Sequence, residues 1–133
     1  MAFQLLLILF IVTGIGIAAI WTKDIFTNTD IDLSRGFFHA REKDSGNLFW
    51  PHWLAEYATA LLLIIAPVLV FLGIETGTQL LPFAAGALFY TSLNSLGWAF
   101  ARKERFGYAF PMLFALVISG AYFFVLIFVS PFL

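Results

Sequence analysis

Every lysine and arginine in this chain lies on one side of four long apolar stretches, at about 3–21, 50–73, 80–101 and 108–132. Lys23, Arg35, Arg41 and Lys43 fall between the first two, and Arg102, Lys103 and Arg105 between the last two. The N-terminal residues, the turn around Glu75 and the C-terminal residues carry no basic side chain. An apolar run of roughly 20 residues is what a helix needs to cross about 30 Å of hydrocarbon. Flanking Lys and Arg stay on the cytoplasmic side, so the asymmetry also orients the chain. The expectation is an all-α integral membrane protein, a four-helix up-down bundle with both termini on the non-cytoplasmic side.

The four stretches and their connections use nearly all of the 133 residues, so 1–133 reads as a single transmembrane domain. With 62% hydrophobic residues, 11% charged and a mean hydropathy of +0.95, the composition lies far outside soluble usage. A net charge of −1 gives no pull toward nucleic acid. The absence of cysteine excludes disulfides, thiolate catalysis and cysteine-ligated metals. Residues 1–20 lack a basic n-region and exceed the usual h-region of about 7–15 residues, so they are expected to be a retained helix, not a cleaved leader.

Gly14 and Gly16 in the first stretch offer places for close helix approach. Pro51 and Pro111 suit first helical turns, whereas Pro67 falls mid-span, where it should bend the helix. Glu75-Thr76-Gly77 reads as the turn between the second and third helices. All four tryptophans, Trp21, Trp50, Trp53 and Trp98, lie toward the basic side. They serve either as interfacial anchors or as the lining of a half-wet site.

The 22–49 connection is much longer than a helix–helix turn requires. Thr29-Asp30 can start a helix and Ser45-Gly46-Asn47 can stop one. Between them Leu33, Phe37 and Ala40 form an apolar stripe, and Asp32, Arg35, His39 and Glu42 a polar one. The pattern predicts a short amphipathic helix over 30–44, lying at the cytoplasmic mouth of the bundle.

Glu56 lies nearly two turns inside the second helix, roughly 10 Å past the interface at 1.5 Å per residue. An ionisable group at that depth is costly and is expected to face the interior with a partner. Asn94 stands at a similar depth on the third helix and is the expected partner, on a stripe with Tyr90, Gly97 and Ala101. Glu56, Asn94, His52 and Tyr90 thus form the candidate intramembrane polar site. His52 and Glu56 are four residues apart, a spacing that lets two side chains share a metal. With only two histidines in the chain, His39, His52 and Glu56 make a thin ligand set, and the sequence requires no cofactor. It contains no nucleophile triad, no GxGxxG and no phosphate loop, so catalytic residues are not assigned.

Four spans, a polar first loop and an acidic residue entering the second helix resemble the layout of the four-span membrane enzymes of eicosanoid and glutathione metabolism. That family places an Asn three residues before the Glu; here Asn47 precedes Glu56 by nine, so the resemblance stays at architecture. Three functions fit the residues. The leading one is a non-catalytic subunit or assembly factor of a larger membrane complex, with the bilayer and other subunits or further copies as partners. The second is a small enzyme or lipophile-binding protein using Arg35, His39, His52, Glu56 and Asn94. The third is a proton-coupled transporter using Glu56.

Overall fold

The computed structural model describes residues 2–27, 46–101, 107 and 109–129, with backbone alone at 24, 25, 27, 46–52, 98 and 101. Four helices account for nearly all of them, with no strand among the described residues: α1 (Ala2–Thr27), α2 (Gly46–Phe71), α3 (Glu75–Ala101) and α4 (Ala109–Phe124). A π-helical turn, Val125–Val129, continues α4. The expected amphipathic helix over 30–44, and with it Asp32, Arg35, His39 and Glu42, lies outside the described residues.

Two boundaries differ from expectation. α1 runs on through Trp21 and Lys23 to Thr27. α2 begins at Gly46, four residues before the expected 50, so Gly46-Asn47 opens this long helix. A hydropathy boundary marks where apolar residues stop, but a helix held by tertiary packing can run past it.

The α2–α3 connection is also tighter than expected, because Glu75-Thr76-Gly77 is the first turn of α3 and not the turn itself. Gly73 ends α2 in the left-handed conformation at φ 72°. The Gly73 amide donates to the Val70 carbonyl at 3.0 Å and the Ile74 amide to the Leu69 carbonyl at 2.9 Å. This pair is a Schellman closure, which satisfies carbonyls the helix end leaves open and reverses the chain within three residues. α2 and α3 are therefore antiparallel neighbours. α2 continues through Pro67, whose ring is fully buried.

Each helix buries a seam at alternating spacings of three and four. In α1 it runs Leu7, Phe10, Gly14, Ile17, Trp21, and in α3 Gly77, Leu81, Ala84, Leu88, Thr91, Ser95. This is the pattern of helices packed side by side at shallow angles. α1 packs on α2, α2 on α3 and α3 on α4, and α4 also meets α1. Phe10 and Tyr122 bridge that last seam with ring centroids 5.6 Å apart.

Glycine decides how closely the helices approach. A Cβ on Gly14 would lie 2.8 Å from the Ala60 carbonyl oxygen, and one on Gly77 2.6 Å from the Val70 nitrogen. At Gly16, the other expected approach point, a Cβ would meet nothing within 4 Å. Backbones meet at the first two positions because no side chain intervenes.

Among the described residues three segments are long and apolar enough to cross a membrane: Ala2–Lys23, Trp53–Phe71 and Ala109–Val129. α3, the fourth expected span, matches them in length but carries Gln79, Thr91, Ser92, Asn94 and Ser95, and falls short on composition. The outward faces are apolar nearly all round, with Leu5, Val12, Leu61, Phe83, Phe110 and Val117 among many large exposed side chains. Such a surface suits lipid or other protein.

Candidate functional site

Glu56 occupies a core position of α2, with 1% of its surface exposed. The buried α2 seam runs Glu56, Thr59-Ala60, Leu63, Ala66-Pro67, so the carboxyl stands where the pattern calls for an apolar side chain. Ser95 of α3 reaches it from one side, its Oγ donating to Glu56 Oε1 at 2.6 Å. Trp21 of α1 bonds it from another side, through the one donor an indole possesses. Three helices thus converge on a single carboxyl group. An ionisable side chain among apolar helices is tolerable only when donors are brought to it, and here two neighbouring helices supply them.

A second polar cluster lies beside it on the α1–α2 seam. Tyr57 Oη and Thr22 Oγ1 share a short hydrogen bond, and the tyrosine hydroxyl also donates to the Ala18 carbonyl at 3.4 Å. Trp53 stacks obliquely on Tyr57 with ring centroids 4.5 Å apart. Three further buried hydroxyls turn back on their own helices. Thr59 donates to the Ala55 carbonyl at 2.8 Å, Thr91 to that of Ala87 at 3.0 Å, and Ser119 to that of Leu116 at 3.0 Å. Back-bonding of this kind satisfies a hydroxyl without tying helices together. Glu56, Ser95, Trp21, Tyr57 and Thr22 do tie them, all near the end where α1 finishes and α2 begins.

The expected site residues separate. Glu56 is buried as the cost of its charge requires, but the neighbour bonded to it from α3 is Ser95, one position beyond Asn94. Asn94, Tyr90 and Gly97 lie on the exposed side of α3, with Tyr90 67% exposed. Of the stripe expected to face the interior, these three positions therefore face outward. Depth along a helix can be counted from sequence, but each residue turns the side chain by about 100°, so an error of one residue exchanges an inward for an outward position. Spacing could have found Ser95, because Leu81, Leu88 and Ser95 recur at intervals of seven.

His52 sits on α2 one turn before Glu56, and its side chain lies outside the described residues, as do His39 and Glu42 altogether. No group of three or more His, Asp or Glu gathers among the described residues. Trp21, expected at the headgroups, is a core residue, and Trp53 is half-buried against the core. Both lie inward because α1 and α2 extend past the apolar boundary and pack on each other there.

Of the groups bonded to Glu56, the Ser95 hydroxyl and the Trp21 indole do not titrate near neutrality. Comparisons with protein families, with characterised proteins and with solved structures each returned no match.

Proposed function

We propose that this chain is a four-span membrane protein acting as a non-catalytic subunit or assembly factor within a larger membrane complex. The carrying observation is that its buried carboxylate, Glu56, is enclosed by α1, α2 and α3 and held by Trp21 and Ser95. An intramembrane ionisable residue ordinarily marks a functional site. Here the group serves as the pin joining three helices; Tyr57 and Thr22 join α1 to α2 beside it, and Thr59, Thr91 and Ser119 bond to their own helix backbones. α3 completes the set of spans. Its polar inner face is covered by α2 and α4, so it crosses as part of the bundle and not by its own hydropathy. The lopsided Lys and Arg distribution supports termini on the non-cytoplasmic side and a cytoplasmic 22–49 connection.

Purification from the native membrane in mild detergent tests this reading. A discrete heteromeric complex is expected. Recovery of the chain alone, or only with copies of itself, overturns it.

A second reading, a small enzyme or lipophile-binding protein, is favoured by one observation. The Trp53–Tyr57–Thr22 cluster sits at the end where the long connection enters, close to Glu56 in the chain. Arg35, His39 and His52 would complete such a site. A stoichiometric lipophilic molecule retained through purification would support it.

A further inference from the structure

Of the four helices, α3 is the least suited to cross a membrane alone. It carries Gln79, Thr91, Ser92, Asn94 and Ser95, with Pro82 inside the helix, whereas α1, α2 and α4 each contain a long apolar run. In the folded chain Thr91, Ser92 and Ser95 are buried, so these three hydroxyls are shielded from lipid once α3 has neighbours. α2 carries the matching burden in Glu56, to which Ser95 donates at 2.6 Å. Each helix thus covers polar groups that the other would otherwise hold in hydrocarbon.

The connection between them favours early pairing. Three residues separate Phe71 at the end of α2 from Glu75 at the start of α3, and the Schellman closure at Gly73 reverses the chain within them. So short a loop costs little entropy to close. Directly after the turn the backbones touch, since a Cβ on Gly77 would lie 2.6 Å from the Val70 nitrogen. α2 is also made before α3, whereas α4 follows it.

Charge points the same way. Glu75, at the turn, is the one charged residue between Glu56 and Arg102. Acidic residues do little to hold a segment back from crossing, whereas Lys and Arg retain it. Lys43 precedes α2 and Arg102 and Lys103 follow α3, so both basic anchors stand at the open end of the pair and none at its tip.

We infer that α2 and α3 enter the membrane as one helical hairpin, tip first, and that α3 crosses because it is paired with α2. The inference rests on the four-span reading above and not on the presence of other subunits.

The chain has no native cysteine, so single cysteines report sidedness. Ile74→Cys at the tip and Gly107→Cys beyond the open end are labelled with a membrane-impermeant maleimide in sealed vesicles, on newly made full-length chain. The two are expected to react from opposite sides. Gly77→Leu and Ser95→Leu together make α3 more apolar, yet they block its approach to α2 and remove its bond to Glu56. The share of chains in which Gly107→Cys reacts from the Ile74 side is expected to rise about fivefold or more. Gly86→Leu adds apolar surface where a Cβ meets nothing within 4 Å, and is expected to leave the sidedness unchanged. Adding Asn94→Leu and Gly97→Leu on the outward side of the double variant is expected to restore crossing, because α3 then crosses by its own hydropathy. Undiminished opposite-sided labelling in the double variant, or an equal loss in Gly86→Leu, overturns the inference alone. Failure of the outward leucines to restore crossing also overturns it, by marking the loss as misfolding. Same-sided labelling of Ile74→Cys and Gly107→Cys in the otherwise unaltered chain overturns the four-span reading and this inference together.

Discussion

Substituting Gly77 by alanine inserts one methyl group where α3 crosses the end of α2. The added carbon would lie 2.6 Å from the Val70 nitrogen, 2.8 Å from Leu69 Cβ and 2.9 Å from the Ala66 carbonyl oxygen. Two of these three atoms are backbone and cannot move aside by a rotamer change. Ordinary contact distances are about 3.5–4.0 Å, so the helices must separate by the better part of an ångström. The Schellman turn at Gly73 leaves only three residues between them, so α3 cannot slide to relieve the overlap. Overpacking of this kind costs about 1–3 kcal/mol. Replacing glycine by alanine inside a helix returns about 0.5–1 kcal/mol. The net expectation is destabilisation by up to about 2.5 kcal/mol, set by the overpacking cost less the helix gain. Gly16→Ala and Gly120→Ala, where a Cβ meets nothing within 4 Å, retain the helix gain without the overlap and change stability in the opposite direction. Reversible unfolding in mixed micelles with increasing SDS, followed by the fluorescence of the packed Trp21 and Trp53, measures all three. If Gly77→Ala proves as stable as Gly16→Ala, the close approach of α2 and α3 is wrong.

Other outcomes follow from the same contacts. Ser95→Ala removes the donor 2.6 Å from Glu56 and should destabilise by roughly 0.6–2 kcal/mol, whereas in a Glu56→Leu background the same change should cost little. Equal costs in the two backgrounds, in the same micelle titration, would show that the pair does not couple. Tyr57→Phe should weaken the α1–α2 seam by about 0.6–1.7 kcal/mol through loss of the bonds to Thr22 and Ala18, and a neutral result would dismiss them. A reporter fused after Leu133 should be active only when its assay reports the non-cytoplasmic side; cytoplasmic activity would reverse the topology. As a hypothesis from the 30–44 periodicity, Arg35→Ala and Glu56→Gln should cause overlapping losses of function, and full additivity would make the 28–45 connection a plain tether.

Much of the architecture was legible before any coordinates. Hydropathy is a sum along the chain, so the approximate extent of the four long helices followed from composition. The depth of Glu56, and its need for a buried position, followed from the cost of a carboxyl among apolar side chains. What hydropathy could not supply was rotation about each helix axis. A helix apolar on nearly every side carries no amphipathic signal to say which face turns inward. That Ser95, next to Asn94, bonds Glu56 and that Trp21 turns into the core are both facts of that one kind.

The chain by itself therefore determined that it forms long apolar helices in sequence, with its basic residues confined to alternate ends, because these are local sums over neighbours. Only the tertiary structure decided that Trp21, Glu56 and Ser95 meet, that Gly14 and Gly77 admit a neighbouring backbone while Gly16 does not, and that the Tyr90–Asn94–Gly97 stripe faces outward. Those facts belong to pairs of helices. Packing chooses among faces of nearly equal hydropathy by shape, and shape exists only once the partner helix is in place.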